Sequence, residues 1–144
     1  MPELTRSMIA HLREFFGNRR RARRYRRSVP FSVSLYDPKL SREQLERAPR
    51  VKGVTRDIST SGLGLIVPAV RIDDRYLTAS DQILRLLLEY PGGTIEMHVI
   101  AVRYEQFAED GAAATTGSYL IGVRIAQVSE SDRARFAEDL QRLS

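Results

Sequence analysis

The sequence predicts a mainly β protein: a small six-stranded antiparallel barrel with an N-terminal helix or arm and a C-terminal helix. Three observations carry this. Apolar residues alternate with a period of two in several segments between Val29 and Ile125. Turn signals separate those segments: Asp37-Pro38, Thr60-Ser61-Gly62 and Pro91-Gly92-Gly93. The chain has 144 residues, room for one domain. Six short strands in a chain of that size close most naturally on themselves, which removes exposed edges.

The elements follow in order. Residues 5–16 place Met8, Ile9, Leu12, Phe15 and Phe16 on one helical stripe, and Gly17-Asn18 stop it. This stripe either docks on the domain or makes a weak membrane contact beside the basic residues that follow. Val29, Phe31, Val33 and Leu35 read as a half-buried strand, with Pro30 near its start. Ser41–Arg47 predicts one or two helical turns, because Ser41 and Gln44 have capping-box spacing. Val51–Ile58 and Leu63–Val67 are the next two strands. Pro68–Ser80 reads as irregular, with a helical turn at Ile72–Leu77.

The run from Gln82 to Tyr90 has helix-forming composition, yet Pro91-Gly92-Gly93 and the alternating Ile95, Met97, Val99, Ala101 make it one arm of a hairpin. The second arm reaches about Tyr104. Residues 111–117 form a small, flexible hairpin loop, and Tyr119–Ile125 is the last strand. Ser129–Ser131 opens the final helix, with Ala134, Phe136, Ala137, Leu140 and Leu143 as its apolar positions.

Charge is distributed unevenly. The chain carries 23 basic and 18 acidic residues, a net +5. Residues 1–27 hold nine Arg against two Glu, a net +7, and the remainder holds fourteen bases against sixteen acids, a net −2. Seven of the nine residues from Arg19 to Arg27 are Arg. The pattern describes a local anion site on an ordinary globular body rather than a surface basic throughout. With no Cys and only His11 and His98, thiolate chemistry is excluded and a zinc site is not expected. Glu96 and His98 share a strand face without a third group, so no catalytic constellation is visible and the protein is not expected to be an enzyme. No apolar run is long enough to span a membrane. Arg13 and Glu14 interrupt any signal-peptide pattern, so the expected location is cytoplasmic.

Two segments bear the chemistry. The first is the arginine block. The second is Asp57-Ile58-Ser59-Thr60-Ser61-Gly62. Strand periodicity puts Asp57 and Ser59 on one outer face and Ile58 in the core, while Gly62 permits a turn or close backbone approach. Alone, the second segment is equally a turn device and the first a solvated tail. Together they supply forked cations for phosphate and a carboxylate for the N–H edge of guanine, which suits an anionic guanine nucleotide.

RRARRYRRSVPFSV followed by DISTSG resembles the PilZ domain, the bacterial receptor family for cyclic di-GMP, whose signature is Arg-x-x-x-Arg before the first strand and then Asp/Asn-x-Ser-x-x-Gly. YLIGVRIAQVSESDRARF is similar to the family's Gly-Val-Arg strand and the helix start after it. The resemblance covers residues 19–143 and implies a PilZ-like barrel that binds cyclic di-GMP. Three pairs fit the first motif: Arg19/Arg23, Arg20/Arg24 and Arg23/Arg27. The family's proline six residues after the last arginine matches Pro30 and selects Arg20 and Arg24. The resemblance implies that these two hold phosphate and guanine, with Arg19, Arg21 and Arg23 as secondary contacts. It implies that Asp57 reads guanine, Ser59 binds phosphate and Gly62 allows the turn. Two features depart from the family pattern: Ser61, where many members have glycine, and the long Asp37–Arg50 connection.

The expected organisation is thus an amphipathic helix over residues 1–18, an Arg-rich ligand-binding linker over 19–28, and a barrel with its C-terminal helix over 29–144. The linker orders on binding, because its like charges repel until the ligand neutralises them, and it signals to an unidentified protein partner. No metal or cofactor beyond the ligand, and no DNA, is expected. The alternatives are a PilZ-like adaptor that binds no nucleotide, or a nonspecific anion, RNA or membrane-surface binder.

Overall fold

Branched and aliphatic residues at every second position fit a pleated strand with one buried face, and they set the architecture. The computed structural model describes residues 22–106 and 118–143. The predicted N-terminal helix, Arg19, Arg20, Arg21 and the predicted loop at 111–117 lie outside the described residues.

The strands are β1 (Tyr25–Arg26), β2 (Pro30–Leu35), β3 (Val51–Ile58), β4 (Gly62–Val67), β5 (Arg71–Ile72), β6 (Arg75–Tyr76), β7 (Ile83–Tyr90), β8 (Gly93–Gln106) and β9 (Tyr119–Val128). Two helices are described, α1 (Arg42–Arg47) between β2 and β3, and α2 (Glu130–Leu143) after β9. Antiparallel neighbours run β3-β2-β7-β8-β9-β4, and β4 pairs back onto β3. The six-stranded antiparallel barrel is therefore closed. β1 continues the line of β2 along the far end of β3: Tyr25 pairs with Ile58 and Arg26 with Asp57, whereas Pro30 pairs with Val54.

Inward residues form one core that includes Phe31, Ile58, Leu65, Leu86, Met97 and Val123, joined by Phe136 and Leu140 of α2. The strand limits agree with the sequence reading at β2, β3, β4 and β7. β8 and β9 run two to three residues past the expected ends. The helical turn expected at Ile72–Leu77 is absent. Arg71-Ile72 and Arg75-Tyr76 form a minimal hairpin instead. Asp73 stands at its turn with φ 55°, a left-handed conformation that Asp tolerates better than most residues and that a right-handed helical turn excludes.

Both helices are held by side chains the barrel presents. The capping box of α1 is formed: Ser41 Oγ accepts from the Gln44 amide at 3.2 Å, and Gln44 Oε1 accepts from the Ser41 amide at 2.8 Å. Arg85, buried on β7, donates to Glu96 of β8 at 3.1 Å and to Glu46 of α1 at 2.9 Å. Glu96 is thereby an ion-pair partner, and His98 stacks on Tyr36 with ring centroids 4.1 Å apart. At the other helix, Asp139 of α2 accepts a fork from Arg27, at 3.2 and 3.1 Å, and a hydrogen bond from the Tyr90 hydroxyl at 2.9 Å. Burial and the neighbouring Asp139 push the Tyr90 phenol well above its ordinary pKa, so it stays a donor.

Candidate functional site

The site begins with an irregularity in β3. Thr55 pairs with Leu65, but the next pair is Asp57 with Gly64, so Arg56 is an extra residue. A bulge of this kind re-aims the side chains after it. Here it brings Arg56 and Asp57, neighbours in sequence, to the same side, and Arg56 Nε donates to Asp57 Oδ2 at 2.9 Å. Thr55 is turned inward and secures the chain before β2: its hydroxyl donates to the Arg27 carbonyl and accepts from the Val29 amide at 2.9 Å.

From the arm, Arg24 reaches the same carboxylate. Its Nε and Nη2 both donate to Asp57 Oδ1, at 3.1 and 2.8 Å. Of the residues in the three candidate arginine registers, Arg24 meets Asp57, Arg27 goes to α2, and Arg23 lies over the Tyr25 ring at 5.2 Å. Asp57 is only 5 % exposed. Burial opposes its ionisation, but the hydrogen bonds and charges of Arg56 and Arg24 prevail and hold its carboxyl below the usual carboxylate value.

Ser59 does not stand beside Asp57 on the outer face. β3 ends at Ile58, so strand periodicity no longer governs Ser59, which lies fully buried in the β3–β4 turn. Its hydroxyl donates to the Gly62 carbonyl at 3.2 Å and accepts from the Gly62 and Ser61 amides at 3.1 and 3.3 Å. Gly62 opens β4, and its φ is not in the left-handed region. What it provides is close packing: a Cβ there would lie 2.4 Å from the Val123 carbonyl oxygen of β9. Ser61, the departure from the family pattern, accepts from Arg124 Nη1 at 2.8 Å. Arg124 is almost wholly buried on β9, and burial and the nearby Arg24 lower its pKa.

Arg56, Gly64, Arg124 and a second glycine, Gly122, were not among the expected site residues. Gly64 pairs with Asp57 on one side and with Gly122 on the other. A Cβ at Gly64 would sit 2.9 Å from Asp57 Oδ1, so glycine there leaves room for the carboxylate and its arginines. Arg24, Arg56, Gly64, Gly122, Arg103 and Tyr104 border one hollow on the outside of the barrel. The sequence signal for its floor was a glycine alternating with leucine inside a strand, Gly62-Leu63-Gly64-Leu65, which marks close approach rather than a turn.

The model of the PilZ domain family matches residues 18–142, nearly the whole chain. This protein belongs to the PilZ domain family. Solved structures share the fold. The PilZ domain of YcgR from Escherichia coli, solved with c-di-GMP, superposes with a TM-score of 0.58 at 13 % identity over 87 % of this chain and 91 % of that one. MrkH, described as a c-di-GMP-dependent transcription regulatory factor, gives 0.57 at 16 % identity over 85 % of this chain and 50 % of its own. The Bacillus subtilis inhibitor of motility MotI/DgrA gives 0.55 at 12 % identity, again over 85 % and 50 %. The protein thus spans about half the length of the latter two. No curated relative matches the sequence.

Proposed function

We propose that this protein is a cyclic di-GMP receptor that signals to a protein partner and is not itself an enzyme. One observation carries the reading: Arg24 and Asp57, which come from the two halves of the family signature and lie 33 residues apart in sequence, form an ion pair at 2.8 Å over an open glycine floor. The PilZ domain of YcgR solved with c-di-GMP, and the MrkH complex of similar fold, support the choice of ligand.

In this reading binding is an exchange of partners. Ionised Asp57 accepts three N–H bonds, two from Arg24 and one from Arg56. Guanine N–H groups replace Arg24 on Oδ1, and the released guanidinium forks onto a phosphate. Arg20 joins Arg24 on the ligand, with Arg19, Arg21 and Arg23 as supporting charge. Ser59 reaches a phosphate only by giving up its turn bonds, so its first task is to hold the Ser61-Gly62 turn. β1 is already paired with β3. Ordering by the ligand therefore concerns the arginines ahead of Tyr25, and it re-aims residues 5–16 toward or away from the partner.

Calorimetric titration with cyclic di-GMP tests the reading. Replacing Arg24 with Ala removes a charge-assisted fork and should weaken binding about ten- to a hundredfold. Wild-type binding no tighter than that of an Arg24→Ala, Asp57→Ala double variant overturns the proposal and favours a nucleotide-free adaptor. Equal competition by GTP or bulk RNA favours a nonspecific anion binder.

A further inference from the structure

A second bulge faces the first across the glycine floor. In β8, Ala101 pairs with Val123 of β9, but the next pair is Arg103 with Gly122, so Val102 is an extra residue. In a regular ladder Val102 would stand opposite Gly122 and Arg103 would turn toward the core. The bulge instead brings Arg103 outward. Asp57, Gly64, Gly122 and Arg103 thereby form one row across four adjacent strands, β3, β4, β9 and β8. Neighbouring strands lie about 4.8 Å apart, so the row spans roughly 14 Å along the curved surface.

The two middle positions carry no side chains, so the row is a trough. Arg24 and Arg56 stand at one end and Arg103 at the other, with exposed Tyr104 and the exposed carboxylate of Glu105 beside it. Arg103 is exposed, and among the described residues it makes no ion pair or side-chain hydrogen bond. A built-in bulge that turns an unengaged guanidinium onto a bare floor is a device for meeting something that lies on that floor.

We propose that Arg103 is a ligand contact outside the family signature. It binds the far end of a dinucleotide laid lengthwise along the trough, through its second phosphate or second guanine. The proposal rests on the cyclic di-GMP reading and adds a second point of recognition to it. A cyclic dinucleotide has two phosphates and two bases, so it can engage both ends of a roughly 14 Å row at once. The near end is held by Arg24 and Asp57, the far end by Arg103.

The test is calorimetric titration of the full chain with cyclic di-GMP, comparing wild type with Arg103→Ala, Arg103→Gln, Arg24→Ala and Arg47→Ala. Arg47, exposed on α1 and paired with Glu43, controls for the loss of one positive charge away from the trough. Arg103→Ala and Arg103→Gln should each weaken binding about tenfold or more, the consequence of one lost charged hydrogen bond. Their ligand-free melting temperatures should match wild type, and Arg47→Ala should bind as wild type does. If both Arg103 variants bind within twofold of wild type while Arg24→Ala fails, the inference is overturned and the receptor reading stands. If Arg47→Ala loses as much as the Arg103 variants, Arg103 acts only through net charge, which also overturns it. No binding by wild type overturns both.

Discussion

At the scale of single residues, two glycines two positions apart do different work. A Cβ at Gly62 meets a backbone carbonyl of β9, which cannot swing away. A Cβ at Gly64 meets the end of the Asp57 side chain, which can. Gly62→Ala should therefore destabilise the fold by about 1–3 kcal/mol, the usual range for overpacking a tight site. Gly64→Ala should cost less stability and, on the receptor reading, lower affinity for cyclic di-GMP several-fold, because it displaces the Asp57 carboxylate which that reading gives to guanine. Urea unfolding and titration of both variants check the contrast, and reversed effects would refute it. The motif was legible here and its physics only in part. Asp57, Ser59 and Gly62 could be named from spacing. That Ser59 serves the turn, and that Gly62 serves strand packing, depends on where β3 ends and on the approach of β9. A linear pattern does not encode either.

At the scale of elements, the alternation of apolar residues made the barrel strands readable, and the capping box made α1 readable. Bulges broke the reading. Val54-Thr55-Arg56-Asp57 looks regular in sequence, and only the pairing with β4 exposes the extra residue. Arg56 and Arg103 were invisible for that reason. The β5–β6 hairpin was missed because two-residue strands carry no period. The contact between arm and α2 was equally out of reach, since Arg27 and Asp139 lie 112 residues apart. Asp139 is buried and serves both Arg27 and Tyr90. Asp139→Ala should cost about 1–3 kcal/mol by leaving those donors without their acceptor. A Tyr90→Phe, Asp139→Ala double variant should lose less than the two single losses combined. Denaturant midpoints for the set measure this, and strict additivity would count against a shared contact.

At the scale of the whole molecule, the arginine pairings dictate how acid acts. Burial lowers the His98 pKa below its ordinary 6.5, with Glu96 and Gln127 only partly offsetting it. A group whose folded pKa is depressed lends full stability above its unfolded value and loses it as pH falls toward the folded one. Stability should therefore begin to fall below about pH 6.5. A second, steeper loss should follow below about pH 4, as Asp57, Glu46 and Glu96 protonate, because arginines lower all three. Denaturant midpoints from pH 8 to 3 should show both steps, and His98→Gln should erase only the first. A single transition unchanged by that substitution would contradict the assignment.

Closure of the barrel also sets an order in time. The trough takes its walls from the arm, β3 and β8 and its floor from β4 and β9, so its parts lie between Arg24 and Gly122. Strand pairs such as β4 with β9 join distant parts of the chain, and such contacts form late. A nascent polypeptide that has not yet released β9 has the signature residues and Gly64 of β4 but lacks Gly122, the other half of the floor. On the receptor reading, the trough is complete only once the last strand is in place, so binding of the messenger reports on finished molecules.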